Sequence, residues 1–307
     1  MRLWADLSLI RDYPREDKLV ERPVGITQFQ KGQKILFYVN ADHVSGIDNR
    51  TCETVRVAVE TCGAERVIIE GLETVHGISP QFYIDFVCRE EKRGFPAGEH
   101  NYAGYLALRN NIPFIGGEPT RQELSSAMES EGFSPRDTMA FRLLQSIPQE
   151  RREGFSMDRA SFDKRAQCYL DHYADLNPAG HLTIKEVEDW YVMHRPDDRH
   201  FLDLSTQDFA PYNDTSASYF QRFNHRLGLV REQHLDTLIA DSLNAMNRVL
   251  VVYGDGHLVQ SRAVFENMLG PGQFIQVSSG QPSRPLHQRN INRLYEYPQS
   301  SPKPHQQ

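Results

Sequence analysis

KILFYVNADHVSGID, residues 34 to 48, decides the fold. Its apolar part, ILFYV (35 to 39), has the length and the aromatic and branched content of a strand. The chain then leaves through Asn40, Asp42 and His43, and Asp48 is placed to cap the start of a helix that Gly63 ends. A strand followed at once by a helix is the first half of a βαβ unit. What such a strand gains by leaving through polar and ionisable groups is the question the rest of the chain answers.

The pattern repeats outward. RVIIE (66 to 70) is the next strand, and helices follow near 80 to 92 and near 100 to 110. IPFIGGE (112 to 118) reads as a third strand, with Pro113 at its start and Gly116 and Gly117 marking a turn. From about 119 to 247 the periodicity is helical, with polar loops at SPRD, DLNPAG and 195 to 214, which predicts a helical insertion or cap. RVLVVYG (248 to 254) resumes the sheet, a helix covers about 258 to 269, and QFIQVS (273 to 278) is the last strand. The expected fold is α/β, a mostly parallel central sheet flanked by helices. Residues 1 to 279 form one domain carrying the insertion, and 280 to 307, rich in Pro, Ser, Gln and Arg, form a disordered tail.

Composition narrows the class. The chain has 307 residues, 39% of them hydrophobic, and a formal net charge of −7, which suits a globular protein with a substantial core. An acidic balance with no long basic block gives no footprint for nucleic acid or for an anionic membrane surface. No stretch approaches the ~20 apolar residues of a membrane span, and the first residues break into charges before a signal-peptide core could form. The expected location is cytoplasmic. Cys52, Cys62, Cys88 and Cys168 show no metal-type spacing, which fits a reducing compartment. Cys52, Val55, Val59 and Cys62 share one helical face, so the cysteines of that helix are read as core.

Four runs leave the sheet through an ionisable group: His43 after ILFYV, Glu70 after RVII, Glu118 after IPFIGG, and His257 after RVLVVYG. In a parallel sheet, ligands bind beyond the carboxyl ends of the strands, so these four groups are expected to converge. Two His and two Glu suit general acid/base chemistry or a divalent metal, and the glycines of GDGH (254 to 257) let backbone approach a ligand closely.

ILFYVNADHVSGID, RVIIEG, VREQHLDTLIADSL (230 to 243) and VLVVYGDGHL (249 to 258) together resemble, in order and spacing, the Tiki/TraB superfamily, which takes in erythromycin esterases and ChaN-like haem-binding proteins. The likeness runs from about residue 33 to 270. It implies an α/β core with a G-x-x-H after the first core strand, a Glu after the second, an Arg opening a late helix and a second G-x-x-H. Carried over, these fall on His43, Glu70, Arg231 and His257 as catalytic residues. Asn40 stands where the first motif has glycine, and a side chain there narrows the pocket or adds a hydrogen bond. His100 and Glu118 are similar to pocket-lining positions of the esterase branch, and with Asn40 and Asp42 they are the substrate-binding candidates.

The resemblance implies a hydrolase of an ester or amide in a small molecule or peptide, by one of two routes. In the first, His43, His257 and one of Glu70 and Glu118 bind a divalent metal (Mn, Co or Zn) that activates water, and the remaining carboxylate is the general base. Alternatively, without metal, His43 activates water, Glu70 orients the imidazole, and Arg231 with His257 stabilises the oxyanion. A haem or other small-ligand binding protein of the ChaN-like kind is the competing expectation.

Two signals are set aside. DLNPAGHLTIKE (175 to 186) places Asp175, Asn177, Gly180 and Glu186 as in a calcium loop, but Ala179 lacks a ligand oxygen, and Thr183 with Glu186 forms a capping box. HRPDDRH (194 to 200) reads as a solvated turn between helices. No G-x-S-x-G, P-loop or G-x-G-x-x-G is present, which argues against standard serine hydrolases, P-loop NTPases and Rossmann dehydrogenases.

Overall fold

The apolar run at 35 to 39 lies within strand β2 (Lys34–Ala41), flanked on both sides in a six-stranded sheet. The computed structural model describes residues 2–14, 23–43, 49–74, 98–152, 154–172, 182–195 and 199–277. The other strands are β1 (Gly25–Lys31), β3 (Arg66–Glu73), β4 (Phe114–Glu118), β5 (Arg248–Gly254) and β6 (Gln273–Ile275), in the order β4-β3-β5-β2-β1-β6. The pairs β2/β5, β3/β5 and β3/β4 are parallel, while β1 pairs antiparallel with β2 and with β6. All four parallel strands therefore deliver their carboxyl ends to one edge.

Helices cover both faces, which is why the inner strands are apolar without alternation. On one face α1 (Arg50–Thr61) and α2 (Glu99–Arg109) pack Cys52, Val55, Val59 and Leu106 against Phe37, Val39, Val67, Ile69, Leu250 and Val252. Cys52 and Cys62 are buried thiols of this core. The opposite face carries α7 (Tyr219–Ala245) and α8 (Asp255–Leu269), whose Leu235, Ile239, Leu243, Val264 and Phe265 meet Leu36, Tyr38, Ile68, Val249 and Val251. The amino-terminal segment joins this layer: Leu3 is buried, and its backbone exchanges two 2.7 Å hydrogen bonds with the Asn244 side chain.

A second core lies among the helices of the middle of the chain: α3 (Arg121–Ser130), α4 (Pro135–Arg152), α5 (Arg159–His172) and α6 (Ile184–His194). Phe141, Phe223 and Trp190 are among its stacked rings. Helix α7 belongs to both cores. Phe220, Phe223 and Leu227 of its first half fill the helical core, and Leu235, Ile239 and Leu243 of its second half fill the sheet core. Arg231 and Glu232 fall at the changeover, where an apolar stripe gives way to polar groups without opening either core.

Several local expectations are corrected. GITQFQK forms β1, an element that its alternating Gln28 and Gln30 conceal in the sequence. The helix after β2 is capped by Asn49, whose side chain accepts from the Cys52 N–H at 2.8 Å; Asp48 lies outside the described residues. The last strand covers 273 to 275 rather than 273 to 278, and α8 begins at Asp255, three residues before the expected start. The capping box of Thr183 and Glu186 is present. Arg195 and Arg199 of the HRPDDRH stretch both pair with Asp208, and His200 caps a short 3-10 turn. The expected helix at 80 to 92, residues 175 to 181 of the calcium-like loop, Cys88 and the tail from 280 lie outside the described residues. Among the described residues no helix is long and apolar enough to cross a membrane.

Gly116 and Gly117 lie inside β4 rather than in a turn. Pairing runs from Ile69↔Gly116 to Glu73↔Glu118, four steps along β3 against two along β4, so β3 bulges at 70 to 72. A Cβ on Gly116 would stand 2.2 Å from the Leu72 carbonyl oxygen and 2.3 Å from that of Glu73. The glycine thus lets the bulge lie close against β4, and the bulge aims Glu70. Gly116→Ala is expected to cost about 1–3 kcal/mol through forced backbone movement. Chemical denaturation checks this; an unchanged midpoint would show that the bulge has room.

Candidate active site at the carboxyl edge of the sheet

Glu70 is the hub. It stands at the β3 bulge with its side chain 13% exposed, and its Oε2 accepts the Gly254 N–H at 2.7 Å, at the amino terminus of α8. The N-cap residue, Gly254, has no side chain to cap the helix, so the Glu70 carboxylate takes that place and faces the positive end of the dipole. Its Oε1 lies 3.2 Å from His257 Nε2, 3.4 Å from Arg231 Nη2 and 3.8 Å from His43 Nε2. Burial alone would raise its pKa, but His257, His43 and Arg231 outweigh burial and hold the carboxyl well below the usual range. Glu70 is an anion.

Each imidazole is held from behind by a second carboxylate. His43 Nδ1 is 2.7 Å from Glu99 Oε1, and His257 Nδ1 bonds Glu232 Oε1. Glu99 opens α2 and Glu232 lies on α7, and both are buried. A carboxylate on Nδ1 fixes the ring's orientation; it turns Nε2 of His257 onto Glu70 and leaves Nε2 of His43 for the reaction space. The hydrogen bond to Glu99 raises the pKa of His43, whose side chain is 63% exposed. Burial opposes protonation of His257, yet Glu232 and Glu70 win and push its pKa up to about 10. Burial likewise works to raise Glu99, but His100 and His43 bring it down to about 2. At neutral pH the interior imidazole is a cation.

Arg231 closes the far side. Its Nε donates to Glu118 Oε2 at 2.7 Å and its Nη2 to Glu118 Oε1 at 2.6 Å, a bidentate pair. Glu118 Oε1 also accepts from the Tyr253 hydroxyl at 3.3 Å and the Gly71 N–H at 3.4 Å. Burial works to raise Glu118, and Arg231 overrides it and lowers its pKa.

The structure thus brings together His43, Glu70, Glu118, Arg231 and His257. His100 joins at the rim, its Nδ1 3.9 Å from Glu99. Asp42 is exposed and, among the described contacts, stands apart from these groups. Asn40 is turned away. Its Nδ2 donates to the Pro23 carbonyl at 3.0 Å and its Oδ1 accepts the Gly25 N–H at 3.2 Å, so it fastens the start of β1 instead of lining the pocket. Asn40 thus has a structural role. Sequence reasoning missed Glu99 and Glu232 as imidazole partners. The adjacent dipeptides Glu99-His100 and Arg231-Glu232 carried the signal, but only the tertiary fold shows which residue each acid faces.

The divalent metal fits poorly. Both oxygens of Glu118 are taken by Arg231, and a guanidinium already supplies the positive charge beside Glu70. Among the described residues no group of three or more His, Cys, Asp or Glu is arranged to hold a metal ion. Compared with known protein families, curated proteins and solved structures, the chain gives no match.

Proposed function

We propose that this edge of the sheet hydrolyses an ester or amide by metal-free general acid/base chemistry. The observation that carries the reading is the convergence of two imidazoles, each backed by its own carboxylate at Nδ1, on a single oxygen of Glu70.

In its neutral form His43 keeps its proton on Nδ1, donated to Glu99, and presents a free Nε2 lone pair at the exposed end of the site. Water gives a proton to that nitrogen as its oxygen bonds the substrate carbonyl carbon. Negative charge then develops on the carbonyl oxygen, and the fixed positive charges of His257 and Arg231 favour it. When the tetrahedral intermediate collapses, the carbon–oxygen or carbon–nitrogen bond breaks, and the proton on His43 passes to the leaving group. Glu70 and Glu118 keep His257 charged and Arg231 immobile, so little reorganisation is needed as charge appears.

A panel of aryl and alkyl esters and amides, each assayed over pH 5 to 9, tests the reading. Turnover is expected, with kcat/KM rising with pH as His43 loses its proton. The apparent pKa should lie above the ordinary 6.5 and fall in Glu99→Gln, which removes the charge that raises it. No turnover across the panel, together with a Soret band on mixing with haem, would replace the hydrolase by a binding protein.

A further inference from the structure

Behind His257 the polar chain continues into the core, where catalysis has no use for it. Glu232 accepts from His257 Nδ1 and from Gln260 Nε2 at 3.5 Å, both on Oε1. Its other oxygen lies 3.1 Å from Ser261 Oγ, which in turn lies 2.9 Å from Asp236 Oδ2. Ser261 and Asp236 are fully buried. Asp236 Oδ1 has no hydrogen-bond partner among the described residues.

Counting hydrogens gives the protonation state. Ser261 has one hydroxyl proton and two carboxyl neighbours, so it donates to one and accepts from the other. Glu232 is the charged partner of the His257 imidazolium and is the stronger acceptor. The serine proton therefore goes to Glu232, and the proton in the second short contact comes from Asp236. A charged Asp236 would face Glu232 across one hydroxyl, with a bare buried oxygen, which is costly for an anion and tolerable for the carbonyl of an acid.

We propose that Asp236 is a neutral carboxylic acid that donates to Ser261, aims the serine hydroxyl at Glu232, and so makes Asp236 and Ser261 positioning residues for the His257 imidazole. The surroundings agree. Helix α7 supplies Glu232, α8 supplies Ser261 and His257, and β2 supplies Tyr38, whose hydroxyl burial keeps protonated. Burial first, and then Glu232, push the Asp236 pKa well up, against the opposing pull of Ser261 and His257. The inference concerns the support of the imidazole and holds whatever bond the site breaks.

Infrared spectroscopy of the full chain carrying 13C-labelled aspartate tests it without a substitution. A protonated-carboxyl band that shifts with the label is expected at pH 7, and it should vanish in Asp236→Asn. That variant keeps a donor to Ser261, so the 15N titration of His257 should match the wild type, whereas Asp236→Ala should broaden or shift the His257 signals. A role confined to packing would lower the melting temperature of Asp236→Ala and leave those signals in place. Absence of a label-sensitive acid band in the wild type would overturn the proposal, even if neither variant folds. So would a tenfold or larger fall in the proton affinity of His257 in Asp236→Asn, because it would show that a negative charge had been removed.

Discussion

Arg231→Ala loses about 3 kcal/mol of folding stability, the lower end of what breaking one side of a buried ion pair costs. Two carboxylates are left behind. Glu118 loses both guanidinium hydrogen bonds and Glu70 loses a cation 3.4 Å away, while neither side chain is more than 16% exposed. The estimate stays at the low end because a quarter of the Arg231 side chain reaches solvent. Adding Glu118→Gln to Arg231→Ala should recover part of the loss, since it removes a stranded charge. Urea denaturation of the two variants measures both effects. A loss below about 1 kcal/mol would class the pair with surface salt bridges.

The second large effect is catalytic. His43→Ala and His257→Asn should each lower kcat/KM by about 10²–10⁴-fold on the best substrate of the panel, the range for losing a general acid or base. The double variant should be about as slow as the slower single one, because residues that act as a unit lose most of the rate with the first removal. His43→Ala should hardly change stability, its side chain being 63% exposed. Asparagine is chosen at 257 because alanine would strand Glu232 and Glu70 together. Multiplicative losses in the double variant would mean that the two imidazoles work independently.

The sheet was legible because its inner strands are apolar on both faces and end in chemistry-bearing residues; ILFYV, RVII and RVLVVY each read as strands for that reason. His43, Glu70, Glu118 and His257 were legible for the same reason, as ionisable groups within a few residues of the ends of those runs. Strand β1 was not, since Thr27, Gln28 and Gln30 interrupt its few apolar residues although it lies between β2 and β6. Gly116 and Gly117 misled because close backbone approach and turn formation leave the same mark in a sequence. Asn40 misled because its partners are Gly25, the first residue of β1, and Pro23 just before it, and β1 leaves little mark in the sequence. Glu99, Glu232, Asp236 and Ser261 act across helices, through contacts that no local pattern records.

The stability curve carries the signature of the same charges. A histidine whose folded pKa is raised from 6.5 to about 10 adds stability that is fully present below pH 6.5 and disappears as pH climbs through 10. Glu70, held low, acts in the opposite range, and its contribution is lost as acid protonates it. The account rests on His257 being gripped by Glu232 and Glu70 at once. The 15N NMR titration of its imidazole tests that grip most directly. His257 should remain protonated through pH 9, release its proton near 10, and do so at lower pH in Glu70→Gln. Titration near 6.5 in the wild type, or a titration unaffected by Glu70→Gln, would contradict it.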